Sequence, residues 1–69
     1  MFGSKYVIWI EFSNGDEGYF YKIKDGKIFY KYNPYDAKIY NSTFECGFDE
    51  GYCLNSFRDI IDKIEYKKL

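Results

Sequence analysis

Residues 19 to 32 read YFYKIKDGKIFYKY, two alternating runs rich in Ile, Phe and Tyr that meet at Asp25-Gly26. An Asp-Gly pair between such runs marks a two-residue hairpin turn, because a type I′ turn needs positive φ at both central positions. Counting outward from that turn sets Lys24 against Lys27, Ile23 against Ile28, Lys22 against Phe29, Tyr21 against Tyr30, Phe20 against Lys31 and Tyr19 against Tyr32. Side chains alternate across a pleated strand, so one surface is expected to carry Tyr19, Tyr21, Ile23, Ile28, Tyr30 and Tyr32. The other is expected to carry Phe20, Lys22, Lys24, Lys27, Phe29 and Lys31. These are the inner and outer faces.

Upstream, residues 5 to 12, KYVIWIEF, alternate in the same way and predict a first strand. The loop SNGDEG, residues 13 to 18, is made of turn formers. A four- or six-residue loop there aligns Tyr6, Ile8, Ile10 and Phe12 with the inner face and puts Trp9 opposite Lys22 on the outer one. Downstream, Asn33-Pro34-Tyr35-Asp36 predicts a turn, and AKIYNSTF, residues 37 to 44, a fourth strand that is short, bulged or at an edge. Residues 45 to 53 predict an irregular connection. Ser56-x-x-Asp59 then resembles a capping box, and Phe57, Ile60, Ile61 and Ile64 recur at helical spacing, which predicts a C-terminal helix on the inner face.

The expected fold is therefore α+β: an antiparallel β-meander of three to four strands with one C-terminal α-helix packed on one face, in a single domain over residues 1 to 69. A chain of 69 residues buries only roughly 60% of its unfolded surface. A hydrophobic content of 46%, with 25% aromatic, nevertheless argues for a folded globule. Heavy use of Phe, Tyr, Ile, Asn and Lys, with one Ala and one Arg, reads as the product of an AT-rich genome.

A net charge of −1 gives no whole-molecule attraction to nucleic acid or anionic lipid. The N-terminal apolar run is short and interrupted by Glu11, so neither a secretory signal nor a membrane span is expected, and the chain is read as cytoplasmic. Cys46 and Cys53 are separated by six residues; a disulfide could close that loop, but a cytoplasmic chain would keep both reduced, and the spacing matches no metal or CxxC redox pattern, which favours packing thiols. With no His and only two Cys, a zinc site would need carboxylates such as Glu45, Asp49 or Glu50, or a second subunit, so no metal and no cofactor are expected. No His, no glycine-rich phosphate loop and no serine in an elbow context leave nothing to run catalysis, and an enzyme is not expected.

The outer face is where function is expected. Its candidate binding residues are Trp9, Phe20, Lys22, Lys24, Lys27, Phe29, Lys31, Lys38 and Tyr40, four rings among five lysines. With Glu11 included, the face carries about +4. Aromatic anchors at the centre of a patch suit a protein partner or self-association as a homodimer. The same mixture could stack bases and hold phosphates of single-stranded nucleic acid, the alternative expectation. The bland alternative is a solvated face whose lysine stems lie over the rings. The leading expectation is a small non-catalytic protein-interaction module, of a kind that fits a phage or mobile-element inhibitor of a host enzyme, anti-CRISPR-like in genre.

Overall fold

The computed structural model describes residues 3–69. It is an α+β fold in which a four-stranded antiparallel sheet carries one helix. Strands β1 (Tyr6–Phe12), β2 (Glu17–Lys24) and β3 (Lys27–Lys31) form the expected meander. A short 3-10 turn at Pro34–Asp36 follows, then helix α1 (Thr43–Ser56) and strand β4 (Ile61–Lys68). The sheet order is β3-β2-β1-β4, so the last strand returns to the free edge of the first.

The Asp25-Gly26 turn is as expected, with φ of 53° and 72° at its two residues and the pairs Lys24–Lys27, Ile23–Ile28 and Lys22–Phe29 in register. Beyond Lys22 the pairing shifts, and Phe20 faces Tyr30 while Tyr19 faces Lys31. Tyr21 is the extra residue of a β-bulge. The first turn differs too. Phe12 N–H donates to the Asp16 carbonyl at 2.8 Å and Gly15 N–H to the Phe12 carbonyl at 3.0 Å, closing a three-residue loop with Gly15 at φ 93°. Such odd loops place a left-handed residue third, a position that suits glycine. An odd loop inverts the expected parity: Trp9 faces Tyr19 and Ile10 faces Gly18. Phe20 therefore turns inward and is 4% exposed, a correction to its outer-face assignment. The bulge at Tyr21 restores parity, so Ile23 and Ile28 still face the core.

The helix and the fourth strand exchange places relative to the sequence reading. Ser42 caps α1, its Oγ accepting from Glu45 N–H at 3.2 Å, while the Glu45 carboxylate accepts from Asn41 N–H at 2.8 Å. Ser42-x-x-Glu45 thus caps the helix in the manner of a capping box, with the glutamate reaching one residue further back than the cap itself. Cys46 and Cys53, seven residues apart, fall on one helical face, and both are fully buried. Residues 57 to 60 form a turn rather than a helical start, with Ile60 N–H donating to the Phe57 carbonyl at 3.0 Å. The run Lys63-Ile64-Glu65-Tyr66-Lys67 alternates strictly and pairs along β1 from Tyr6–Lys68 to Glu11–Lys63. That edge explains the outcome. A C-terminal helix would leave the backbone groups of the most apolar strand unpaired, whereas a strand satisfies them.

The expected strand over residues 37 to 44 reduces to a single bridge, Tyr6–Tyr40. Lys38 N–H also donates to the Phe20 carbonyl at 3.0 Å, at the bulge where β2 departs from regular pairing. Ile8, Ile10, Phe12, Phe20, Tyr40, Cys46, Cys53 and Ile61 form the core between sheet and helix. Among the described residues no helix is long and apolar enough to cross a membrane.

Candidate functional site

Strand alternation puts Trp9 and Glu11 of β1 on the face turned away from α1, since Ile8 and Ile10 belong to the core cluster with Cys46 and Cys53. Pairing brings Glu17 and Tyr19 of β2 beside them on one flank, and Lys63, Glu65 and Lys67 of β4 on the other. Past the bulge, Lys22 and Lys24 of β2 and Lys27, Phe29 and Lys31 of β3 complete the surface. Six lysines against three glutamates leave it at about +3.

The lysines sit over the rings rather than between them. Lys67 Nζ lies 4.5 Å from the Trp9 ring centroid and Lys63 Nζ 5.9 Å. Indole Nε1 donates to Glu17 Oε1 at 3.1 Å, fixing the ring's orientation. A second cluster lies on β2 and β3. Lys31 Nζ is 4.6 Å from the Tyr21 ring, while Lys22 Nζ is 5.3 Å from Tyr21 and 5.7 Å from Phe29. Exposed cation–π contacts of this kind contribute about 0.5–1 kcal/mol each, enough to order a lysine and too little to lock it. Tyr21 and Phe29 remain 37% and 41% exposed.

Of the nine residues expected here, Trp9, Lys22, Lys24, Lys27, Phe29 and Lys31 share the face. Three do not. Phe20 is in the core for the reason given above. Tyr40 is 3% exposed beneath the helix, its hydroxyl donating to Asp49 Oδ2 at 2.5 Å. Burial first, and that carboxylate second, hold its hydroxyl well above the ordinary tyrosine range. Lys38 joins the same carboxylate at 2.8 Å, tying the crossing segment to α1. Sequence reasoning missed Tyr19, Tyr21, Lys63 and Lys67. The alternation of residues 63 to 67 was the available signal for the two lysines. Nothing in the sequence marks the bulge that brings Tyr21 outward.

Elsewhere, Asp16 accepts hydroxyl hydrogen bonds from Tyr30 at 2.5 Å and Tyr32 at 2.9 Å. The Tyr30 and then the Tyr32 bond hold its carboxyl below the usual range, and Asp16 in turn pushes Tyr30 up to about 12. Cys46 and Cys53 are free, and a bridge is out of reach: seven residues of helix rise about 10 Å, well beyond disulfide geometry. Burial pushes both thiols up, Cys53 to about 11, which suppresses the thiolate that nucleophilic chemistry needs. Among the described residues no three His, Cys, Asp or Glu side chains gather where a metal ion could be held, so Glu45, Asp49 and Glu50 do not complete a site with the cysteines. No protein-family model matches the chain, and no curated protein or solved structure matches it either.

Proposed function

We propose that this protein is a small non-catalytic binding module that engages an acidic surface of a partner protein through the lysine-capped aromatic face of its sheet. The observation that carries the reading is the paired arrangement of Lys63 and Lys67 over Trp9 and of Lys22 and Lys31 over Tyr21 and Phe29. Rings already lying under ammonium groups present an apolar floor with a cationic rim. A carboxylate-bearing partner can draw those flexible lysines aside and bury the rings beneath its own chain. Aromatic anchors then supply the affinity, and the surrounding charges supply orientation and association rate. The proposed setting is inside a cell, with a phage or mobile-element product occluding a host enzyme, a reading that rests on the AT-biased composition.

A second reading, single-stranded nucleic acid, is favoured by one specific feature. Lys22, Lys24, Lys27 and Lys31 line the β2–β3 hairpin around Phe29 and Tyr21, a stacking surface edged by phosphate-sized charge. Trp9 emission titrated with a single-stranded oligonucleotide at low and high salt separates the two. Nucleic-acid binding gives quenching that weakens steeply as salt rises. The protein reading expects little response to the oligonucleotide, together with specific partner capture that Trp9→Ala and Phe29→Ala abolish while circular dichroism stays native. Capture undiminished in both variants would sink it.

A further inference from the structure

Helix α1 presents its least polar stripe to solvent. Phe44 is 75% exposed, Phe48 66% and Tyr52 55%, while at Gly47 and Gly51 a Cβ would meet nothing within 4 Å beyond the adjoining helix backbone. At 100° per residue these five, with Asn55, fall on the side opposite Cys46 and Cys53. Glu45, Asp49 and Glu50 lie on the flanks instead, where Asp49 meets Lys38 and Tyr40 and the Glu45 carboxylate meets Asn41 N–H. The outward stripe therefore carries no charge. An aromatic stripe left in water while Glu45 and Asp49 are engaged on the flanks is the reverse of an ordinary surface helix.

We infer that this stripe is the interface of a symmetric homodimer, with α1 packed against α1 of a second copy. Two observations select a second copy as occupant. The first is shape: Phe44 and Phe48, already edge-to-face with centroids 5.0 Å apart, form a ridge beside the flat strip of Gly47 and Gly51, so the patch carries both a knob and the hollow that receives it. A two-fold axis requires one surface to complement itself in this way. The stripe itself sets no like charges face to face, and on its flanks Asp49 is paired with Lys38 and Glu45 accepts from Asn41 N–H.

The second is area. Aromatic side chains carry about 150–250 Å² each, so the exposed parts of Phe44, Phe48 and Tyr52 amount to about 400 Å² per copy. Two copies with their rim then bury about 1,000 Å², the lower limit for a specific interface and consistent with micromolar affinity. Since α1 covers the inner side of the sheet, a helix-to-helix pair turns both lysine-capped faces outward. The inference does not depend on what those faces bind.

Sedimentation velocity at about 5 μM and about 500 μM tests it, using wild type, Gly51→Glu and Lys67→Glu. Glutamate has a higher helix propensity than glycine and meets open space at position 51, so Gly51→Glu keeps or raises the melting temperature while placing charge in the stripe. The expected result is a wild type that shifts from monomer to dimer across the range, a Gly51→Glu protein that stays monomeric at 500 μM, and a Lys67→Glu protein that still dimerises. A wild type monomeric at 500 μM overturns the inference. So does a dimer that survives Gly51→Glu or is lost in Lys67→Glu.

Discussion

Tyr30 lies directly over Gly18: a Cβ added to the glycine would stand 2.4 Å from Tyr30 Cδ2 and 3.0 Å from the Lys31 carbonyl oxygen. The missing side chain is what lets the ring cross β2 and deliver its hydroxyl to Asp16 at 2.5 Å. One obstructing atom is Lys31 backbone, so the site cannot relax by a side-chain rotation alone. Gly18→Ala is expected to destabilise the fold by about 1–3 kcal/mol, the usual cost of overpacking. Urea denaturation measures it, and an unchanged midpoint would show that the ring has room to move.

The Asp16 cluster predicts stability loss at both ends of the pH scale. Its folded carboxyl pKa is lowered, by Tyr30 first, so its contribution is present above the unfolded carboxyl pKa and is lost as pH falls through the folded value. Tyr30 behaves oppositely. Its folded pKa is raised from 10.0 to about 12, so that contribution is complete below 10 and disappears as pH rises from 10 toward 12. In Tyr30→Phe the alkaline loss between those values should shrink and the acid loss should shift toward higher pH, as read from melting temperature against pH. Superimposable wild-type and variant profiles would contradict the assignment.

Tyr40 and Asp49 join the crossing segment to the helix. Removing the hydroxyl with Tyr40→Phe keeps the ring's packing and leaves Asp49 with Lys38 alone. Hydrogen bonds to charged groups contribute about 1.5–3 kcal/mol, which sets the expected loss. For a domain of this size that corresponds to a fall in Tm of about 10 °C or more, measurable by calorimetry.

Both thiols are buried, and burial is the first cause raising their pKa. A disulfide-exchange reagent at pH 8 should label neither in the folded protein and both after denaturation. Prompt labelling of one thiol in native buffer would mean that α1 lifts from the sheet far more readily than its packing implies.

The sequence is legible where a residue type has only one good use. Asp25-Gly26 admits a type I′ turn and little else, and everything from Lys22 to Phe29 follows in register. SNGDEG is different: Asn14, Gly15 and Gly18 can each take special backbone angles, so odd and even loops compete, and the odd one formed. That inversion and the Tyr21 bulge cancel, which is why Trp9, Lys22 and Phe29 still share a face while Phe20 moved into the core. In the C-terminal half, two capping boxes compete. Ser56-x-x-Asp59 has the stronger apolar spacing behind it, whereas Ser42-x-x-Glu45 has Gly47 and Gly51, each unfavourable by about 1 kcal/mol in a helix. Tertiary demand decided, because the open edge of β1 required a strand and residues 61 to 68 could alternate. The half of the site supplied by Lys63 and Lys67 depended on that outcome.

The claim that the lysine-capped sheet face binds protein is tested most directly by photocrosslinking inside the source cell. Benzoylphenylalanine would replace Phe29 on that face or, as a control, Tyr35 on the 3-10 turn, which is 74% exposed. A discrete adduct is expected from position 29, removed by protease, untouched by nuclease and absent from position 35. Adducts that nuclease removes, or equal adducts from both positions, would contradict it.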